Sequence, residues 1–285
     1  MLIKHYANKN RFFIATVIIF TQLLFVLALP AQAHPLEQLE GLKRFNRSSQ
    51  LLDPQNTAVQ LVSSLDIKEV KIGQNVVSQA IELNEKGGEI HNITGGSRSD
   101  KVTFSFFQPF QESTLEQRID LHFDKNSGFI DAVNLRYLLS SAYLSIDLIR
   151  DQVLQSAISK YGSPLTMQAV QEIAGKTKRV TINDFSAGIT NLSEEARAYF
   201  KKLSITRNAK ISADKRGIAL FQVGFDECYL WPENNYAEIL SLCAFAPGAA
   251  NANNRGLEFK LVNFPIKQVI AEHQIKPAEQ LKLSL

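Results

Sequence analysis

Histidine and cysteine, the side chains that most often carry metal and redox chemistry, are scarce here: five and two in 285 residues. No two histidines stand in an H-x-x-x-H or H-E-x-x-H pattern, so the helical zinc-hydrolase signature is missing. Cys228 and Cys243 lie too far apart for a C-x-x-C redox centre, and nothing nearby completes a zinc set. There is no G-x-S-x-G elbow and no S-x-x-K with its companion motifs, which leaves no recognisable nucleophile. Gly175-Lys176-Thr177 imitates the end of a phosphate-binding loop, but Val170 stands where its first glycine is required. No cofactor is implied.

An excess of one charge is also lacking. The chain carries 31 basic and 28 acidic residues, net +3, but Lys4, Lys9 and Arg11 lie in a leader-like start that holds no acid. Without them the counts are 28 and 28, so no general basic character supports nucleic-acid binding. Past residue 29 no apolar run approaches the ~20 residues of a spanning helix. Processed, the chain carries no stable membrane span.

What is present begins with that start. Three basic residues precede an almost unbroken apolar run, Phe12 to Leu29, and Ala31-Gln32-Ala33 places small residues before His34. This is the layout of a secretory signal peptide. It predicts cleavage after residue 33 and a periplasmic or secreted product. An oxidising compartment and an even count then predict a Cys228–Cys243 disulfide. Its loop of about 15 residues is worth about 3 kcal/mol in the chain-entropy model.

Periodicity predicts an α+β protein with antiparallel sheets and a few packed helices, in two similar-sized subdomains. A lead-in spans 34–65, the first α+β domain 66–164, and a second with the disulfide loop 165–285. Asn75 caps a helix that Gly87-Gly88 ends. Strands follow at 102–106, 118–123 and 129–138, with a hairpin turn at 124–128. A helix from Ser145 closes at Tyr161-Gly162-Ser163-Pro164. Beyond it come a strand at 179–183, a helix at 193–203, strands at 218–225 and 257–264, a loop at 246–256 and a final helix at 266–274.

The run Val70-Lys71-Ile72-Gly73 before a helix, a glycine turn, three strands and a helix ending Lys160-Tyr161-Gly162-Ser163-Pro164 resembles a recurrent layout. It is similar to uncharacterised periplasmic proteins of proteobacteria with an IxG-helix, strands and a KYGxP close. More distantly it resembles the small helix-plus-sheet lipoproteins of outer-membrane assembly, the BamE/SmpA type. The likeness covers roughly residues 66–164. It implies a fold and a compartment and no chemistry.

Few side chains then stand out. His34, as a new N-terminus, offers an amine and an imidazole that suit copper. His122 lies between Leu121 and Phe123 on the opposite face of a strand, and reads as solvent-facing. Asp226-Glu227 and Glu194-Glu195 fit turn polarity and a helix start. Tyr229, Trp231 and Tyr236, inside the disulfide loop, are the candidate binding residues, because aromatics on a stapled loop can stack on sugars or anchor a partner. They can equally form the loop's own core. The expectation is an exported, non-catalytic protein that binds another protein or an envelope component; the alternative is a secreted hydrolase with a dispersed site.

Overall fold

Alternating apolar residues such as Val102, Phe104, Ile119, Leu121 and Phe123 put one side of each strand into a core. A computed structural model describes residues 63–95, 99–110, 113–125, 127–138, 146–206, 209–224, 226–245 and 256–269. The leader, its cleavage point, His34, His273, Ser145 and nearly all of the expected loop at 246–256 lie outside the described residues.

The chain is α+β, with helices α1 (Val76–Glu85), α2 (Ile146–Tyr161), α3 (Met167–Ala174), α4 (Ile182–Gly188) and α5 (Glu194–Ser204) and a further helical segment at 264–269. The strands are β1 (Glu89–Gly95), β2 (Ser99–Phe110), β3 (Ser113–Asp124), β4 (Ile130–Leu138), β5 (Lys210–Ala213), β6 (Ala219–Val223), β7 (Asp226–Glu233), β8 (Glu238–Phe245) and β9 (Gly256–Asn263). All nine form one antiparallel sheet in the order β1-β2-β3-β4-β9-β8-β7-β6-β5. Two meanders, β1–β4 and β5–β8, are joined by β9, which pairs with β4 on one side and β8 on the other. The expected domain boundary falls between α2 and α3, while the strands on either side of it share this sheet.

Two cores lie on opposite faces, as the alternation in β7 makes plain. Tyr229 and Trp231 join Val76, Ala80 and Leu83 of α1, Ile149 and Leu154 of α2, and Phe104, Ile119, Leu135, Leu240 and Leu261 of the sheet. Cys228 and Leu230 join Val170 of α3, Phe185 of α4, Phe200 of α5, and Ile211, Phe221, Ile239 and Val262. β7 and β8 are therefore buried on both sides, and their runs lack a clean alternation. That hid both strands from the sequence reading.

Local signals explain the helix boundaries. The Asn75 side chain accepts from the Val77 and Ser78 amides at 2.9 and 3.4 Å, closing the α1 start as its sequence predicts. Gly162 ends α2 at φ +80°, a left-handed turn that a Cβ would strain. The strand expected at 179–183 is instead the start of α4. Thr181 and Asp184 form a reciprocal capping box there, and this local device overrides the β-branched residues around it. Gly188 lets α4 press on α3: a Cβ there would lie 1.8 Å from the Ile173 carbonyl oxygen.

Candidate functional site

The face that carries α3–α5 over β5–β8 continues across β9, β4, β3 and β2. No residue of β2, β3 or β4 belongs to that helical core. Antiparallel register sets its side chains in rows, because directly paired residues point the same way. One row reads Lys101, His122, Ala132, Val262, Ile239 from β2 to β8. The next reads Thr103, Asp120, Asn134, Lys260, Ser241, and the third Ser105, Arg118, Arg136, Glu258, Cys243. The second and third rows are almost wholly polar, drawn from segments up to 157 residues apart (Thr103 to Lys260, 260 − 103).

Asp120 is the hub. Its side chain is only 2% exposed. It accepts from Thr103 Oγ1 at 2.6 Å, pairs with the Arg136 guanidinium, and lies 3.4 Å from Lys101 Nζ. Burial alone would raise its carboxyl; the Thr103 hydroxyl and the Arg136 and Lys101 cations more than offset that and hold it below the ordinary carboxylate range. Arg136 also reaches toward Glu258, with Nε 3.8 Å from Oε1. That distance is too long for a hydrogen bond, and Arg136 Nε is buried without one. Burial raises Glu258, against the pull of Arg136 and Lys260.

One strand-pair further, Arg118 grips Glu116 through Nε at 2.6 Å and Nη2 at 3.2 Å, and Ser105 Oγ donates to the same carboxylate at 3.1 Å. His122 Nε2 lies 3.4 Å from Asn134 Nδ2, while Asn134 Oδ1 is buried with no hydrogen-bond partner. Burial depresses the His122 imidazole; Asp120 opposes this, and Lys101, Lys260 and Lys267 reinforce it. The depressed proton affinity favours the uncharged ring, whose Nε2 can accept from the Asn134 amide when that nitrogen carries no proton. His122 is half-buried in this array rather than simply solvent-facing.

The stapled pair is where the sequence puts it. Cys228 and Cys243 are directly opposed across β7 and β8, and their sulfurs stand 2.15 Å apart, at disulfide distance. The aromatics they enclose are not an exposed platform. Tyr229 and Trp231 are each 3% exposed. Trp231 Nε1 donates to the Gly162 carbonyl at 2.8 Å and its ring meets Tyr161 edge-on, which ties β7 to the end of α2. Tyr236 packs against Phe185 and Phe200, and burial pushes its hydroxyl up to about 12. The loop is a hairpin, so a strand's worth of its aromatics necessarily faces a core. Its aromatics are its anchorage.

The remaining candidates separate. Glu227 receives Arg150 at 3.1 Å and Gln222 at 3.2 Å, a bond set that holds α2 over β6 and β7. Glu194 and Glu195 open α5 beneath the Ser193 cap. Gly175 is the left-handed C-cap of α3 and belongs to no phosphate loop. Among the described residues no three His, Cys, Asp or Glu side chains group as a metal would require, and no helix is long and apolar enough to cross a membrane.

Asp120, Asn134, Arg136, Glu258 and Lys260 were missed by sequence reading. The available signal was the alternation Arg118-Ile119-Asp120-Leu121-His122-Phe123, which marks a polar face without saying which strands extend it. Comparison with protein-family models, with curated proteins and with solved structures finds no match for this chain.

Proposed function

We propose that the protein is an exported, non-catalytic binding module for another protein or an envelope component, and that the polar face of β2, β3, β4 and β9 is its binding surface. Export is supported by the leader-like first 33 residues and by a cysteine pair at disulfide distance, which suits an oxidising compartment. The likeness of residues 66–164 to periplasmic helix-plus-sheet proteins points the same way. One observation carries the choice of surface: the sheet face that bears a helical core over β5–β8 holds charged rows in place of apolar ones across β2–β4.

The test is capture of envelope fractions on immobilised wild-type protein beside two charge-reversal variants. Arg118→Glu with Lys260→Glu alters the polar face; Lys201→Glu alters exposed α5. A defined envelope component retained by wild type and Lys201→Glu, and lost from the double variant, is the expected result. Equal retention by all three removes this surface from consideration.

A hydrolase remains the second reading because Asp120 and His122 of β3 share this face with Glu258 of the distant β9, all three with shifted proton affinities. Asp120 is, however, committed to Thr103, Arg136 and Lys101 and does not serve His122 as the orienting carboxylate of a nucleophile-activating base. Turnover of an ester, glycoside or phosphate substrate that disappears in His122→Gln would establish the hydrolase instead.

A further inference from the structure

The polar face ends in a step where it meets the helical layer. Tyr199 of α5 is hydrogen-bonded through its hydroxyl to Ser241 and meets Phe264 at a 59° tilt, with ring centroids 5.7 Å apart. Lysines from four separate elements contribute charge around this step. Lys101 of β2 is directly paired with His122, and Lys260 of β9 with Asn134. Lys267, from the segment at 264–269, acts on His122, and Lys202 of α5 acts on Lys260. No salt bridge among the described residues engages Lys202, Lys260 or Lys267.

We propose that this step binds a phosphate group of the ligand, held by Lys260 and Lys267 with Lys101, and hydrogen-bonded by Asn134 and His122. This rests on the reading of the polar face as the binding surface. Cations arriving from several directions suit a multiply charged tetrahedral oxyanion better than a planar carboxylate, which favours the flat fork of arginine.

The acids nearby do not fill the role. Asp120 is already occupied by Thr103, Arg136 and Lys101; Glu258 lies toward Arg136; Asp131 faces Lys267 without any hydrogen bond to its buried Oδ1. The imidazole is the reporter. Burial is the main cause that disfavours its charged form, and Lys101, Lys260 and Lys267 add to it against Asp120, so an anion that compensates the lysines favours protonation. A phosphate bound there raises the affinity of His122 for a proton, and by linkage phosphate binds more tightly as pH falls through the His122 titration.

The experiment follows the His122 ring resonances of the full chain by NMR across pH, assigned with His122→Gln, in inorganic phosphate, acetate or chloride at equal ionic strength. The expected result is a titration midpoint raised by about 1 unit in phosphate alone. Lys260→Ala with Lys267→Ala should abolish that shift and weaken phosphate binding about tenfold or more. The same midpoint in all three salts, or a shift that survives the double substitution, overturns the proposal.

Co-sedimentation with phosphatidylglycerol–phosphatidylcholine vesicles assigns the source. Sedimentation that inorganic phosphate reverses indicates a lipid headgroup; an NMR shift without sedimentation indicates a soluble phosphate ligand. The two readings fail separately. Envelope capture lost in Arg118→Glu with Lys260→Glu but no His122 shift leaves the broader surface standing and removes the phosphate.

Discussion

One face of one sheet is built in two ways. Over β5–β8 it carries Ile211, Phe221, Leu230 and Ile239 beneath three helices; over β2–β4 it carries Thr103, Asp120, Asn134 and Arg136. The first row shows the change within one line of paired residues: Ile239 and Val262 belong to the helical core, Ala132 follows, and His122 and Lys101 stand beyond. Backbone hydrogen bonding is the same throughout. What differs is the means of making a sheet face compatible with its surroundings. One half removes apolar area from water. The other satisfies polar groups against each other and leaves several, including Asn134 Oδ1 and Arg136 Nε, without hydrogen bonds. Stability should therefore be concentrated in the first half and ligand sensitivity in the second.

The largest effect is expected where the helical half is densest. Phe185 is fully buried and meets Phe200, Phe221 and Tyr236 edge-on at 5.6, 5.5 and 5.9 Å. Phe185→Ala should cost about 4 kcal/mol in urea unfolding through lost burial and the cavity left behind. Arg118→Ala on the polar half should cost under about 1 kcal/mol, since its pair with Glu116 is solvent-accessible. Similar losses for the two would erase the distinction.

Next in size is the disulfide, which sits where the halves meet: Cys228 packs in the helical core, and Cys243 is paired with Glu258 of the third polar row. Its 15-residue separation corresponds to about 3 kcal/mol of loop-closure stabilisation. Unfolding with and without reductant should show a loss of that order, in both tryptophan fluorescence and the Cys228→Ser, Cys243→Ser variant. Trp231 lies in β7 on the opposite face, so its fluorescence reports whether the hairpin opens with the bond.

How much of this could be read from the chain depended on how each signal is written. One-sided strands such as Ile119 to Phe123 alternate plainly, and caps such as Asn75 and Ser193 are local, so α1, α5 and the β2–β4 strands were legible. β7 and β8 were not, because burial on both faces turns alternation into a continuous run. The same cause left Tyr229 and Trp231 open between binding and core, because their burial follows from a strand pairing that sequence proximity to a cysteine does not encode. The polar face was half legible. Its composition appears within β3, but the partnership of Asp120 with Arg136 comes from the β3–β4 register, and that of Asn134 with Lys260 from β9 crossing back to β4.

A smaller effect tests whether the polar half contributes stability at all. Asp120→Asn keeps the shape and an acceptor for Thr103 but removes the charge facing Arg136 and Lys101. With Asp120 buried and both cations partly exposed, a loss of about 2 kcal/mol is expected. Because Asp120 is depressed below 3.8, its contribution is present above that value and is lost as pH falls below it. The wild-type advantage over Asp120→Asn should thus be constant from pH 5 to 8 and shrink in stronger acid. An advantage that grows on acidification would mean that Asp120 is not held in its charged form.

The smallest effect is the most selective, because it separates the two halves by pH. His122 is depressed below 6.5, so the folded protein disfavours the imidazolium relative to the unfolded chain. The sign follows from that inequality: the contribution is fully present above 6.5 and is lost as pH falls from 6.5 toward the lower folded value, where unfolding takes up a proton. His122→Gln removes the titration while keeping a partner for Asn134. Its melting temperature should fall less than that of wild type between pH 7 and 5, with the two curves parallel above pH 7. Substitutions in the helical half, such as Phe185→Ala, should lower the whole curve without changing its slope there. A slope unchanged by His122→Gln would place the acid sensitivity elsewhere, and the imidazole would not be the group through which the polar half senses charge.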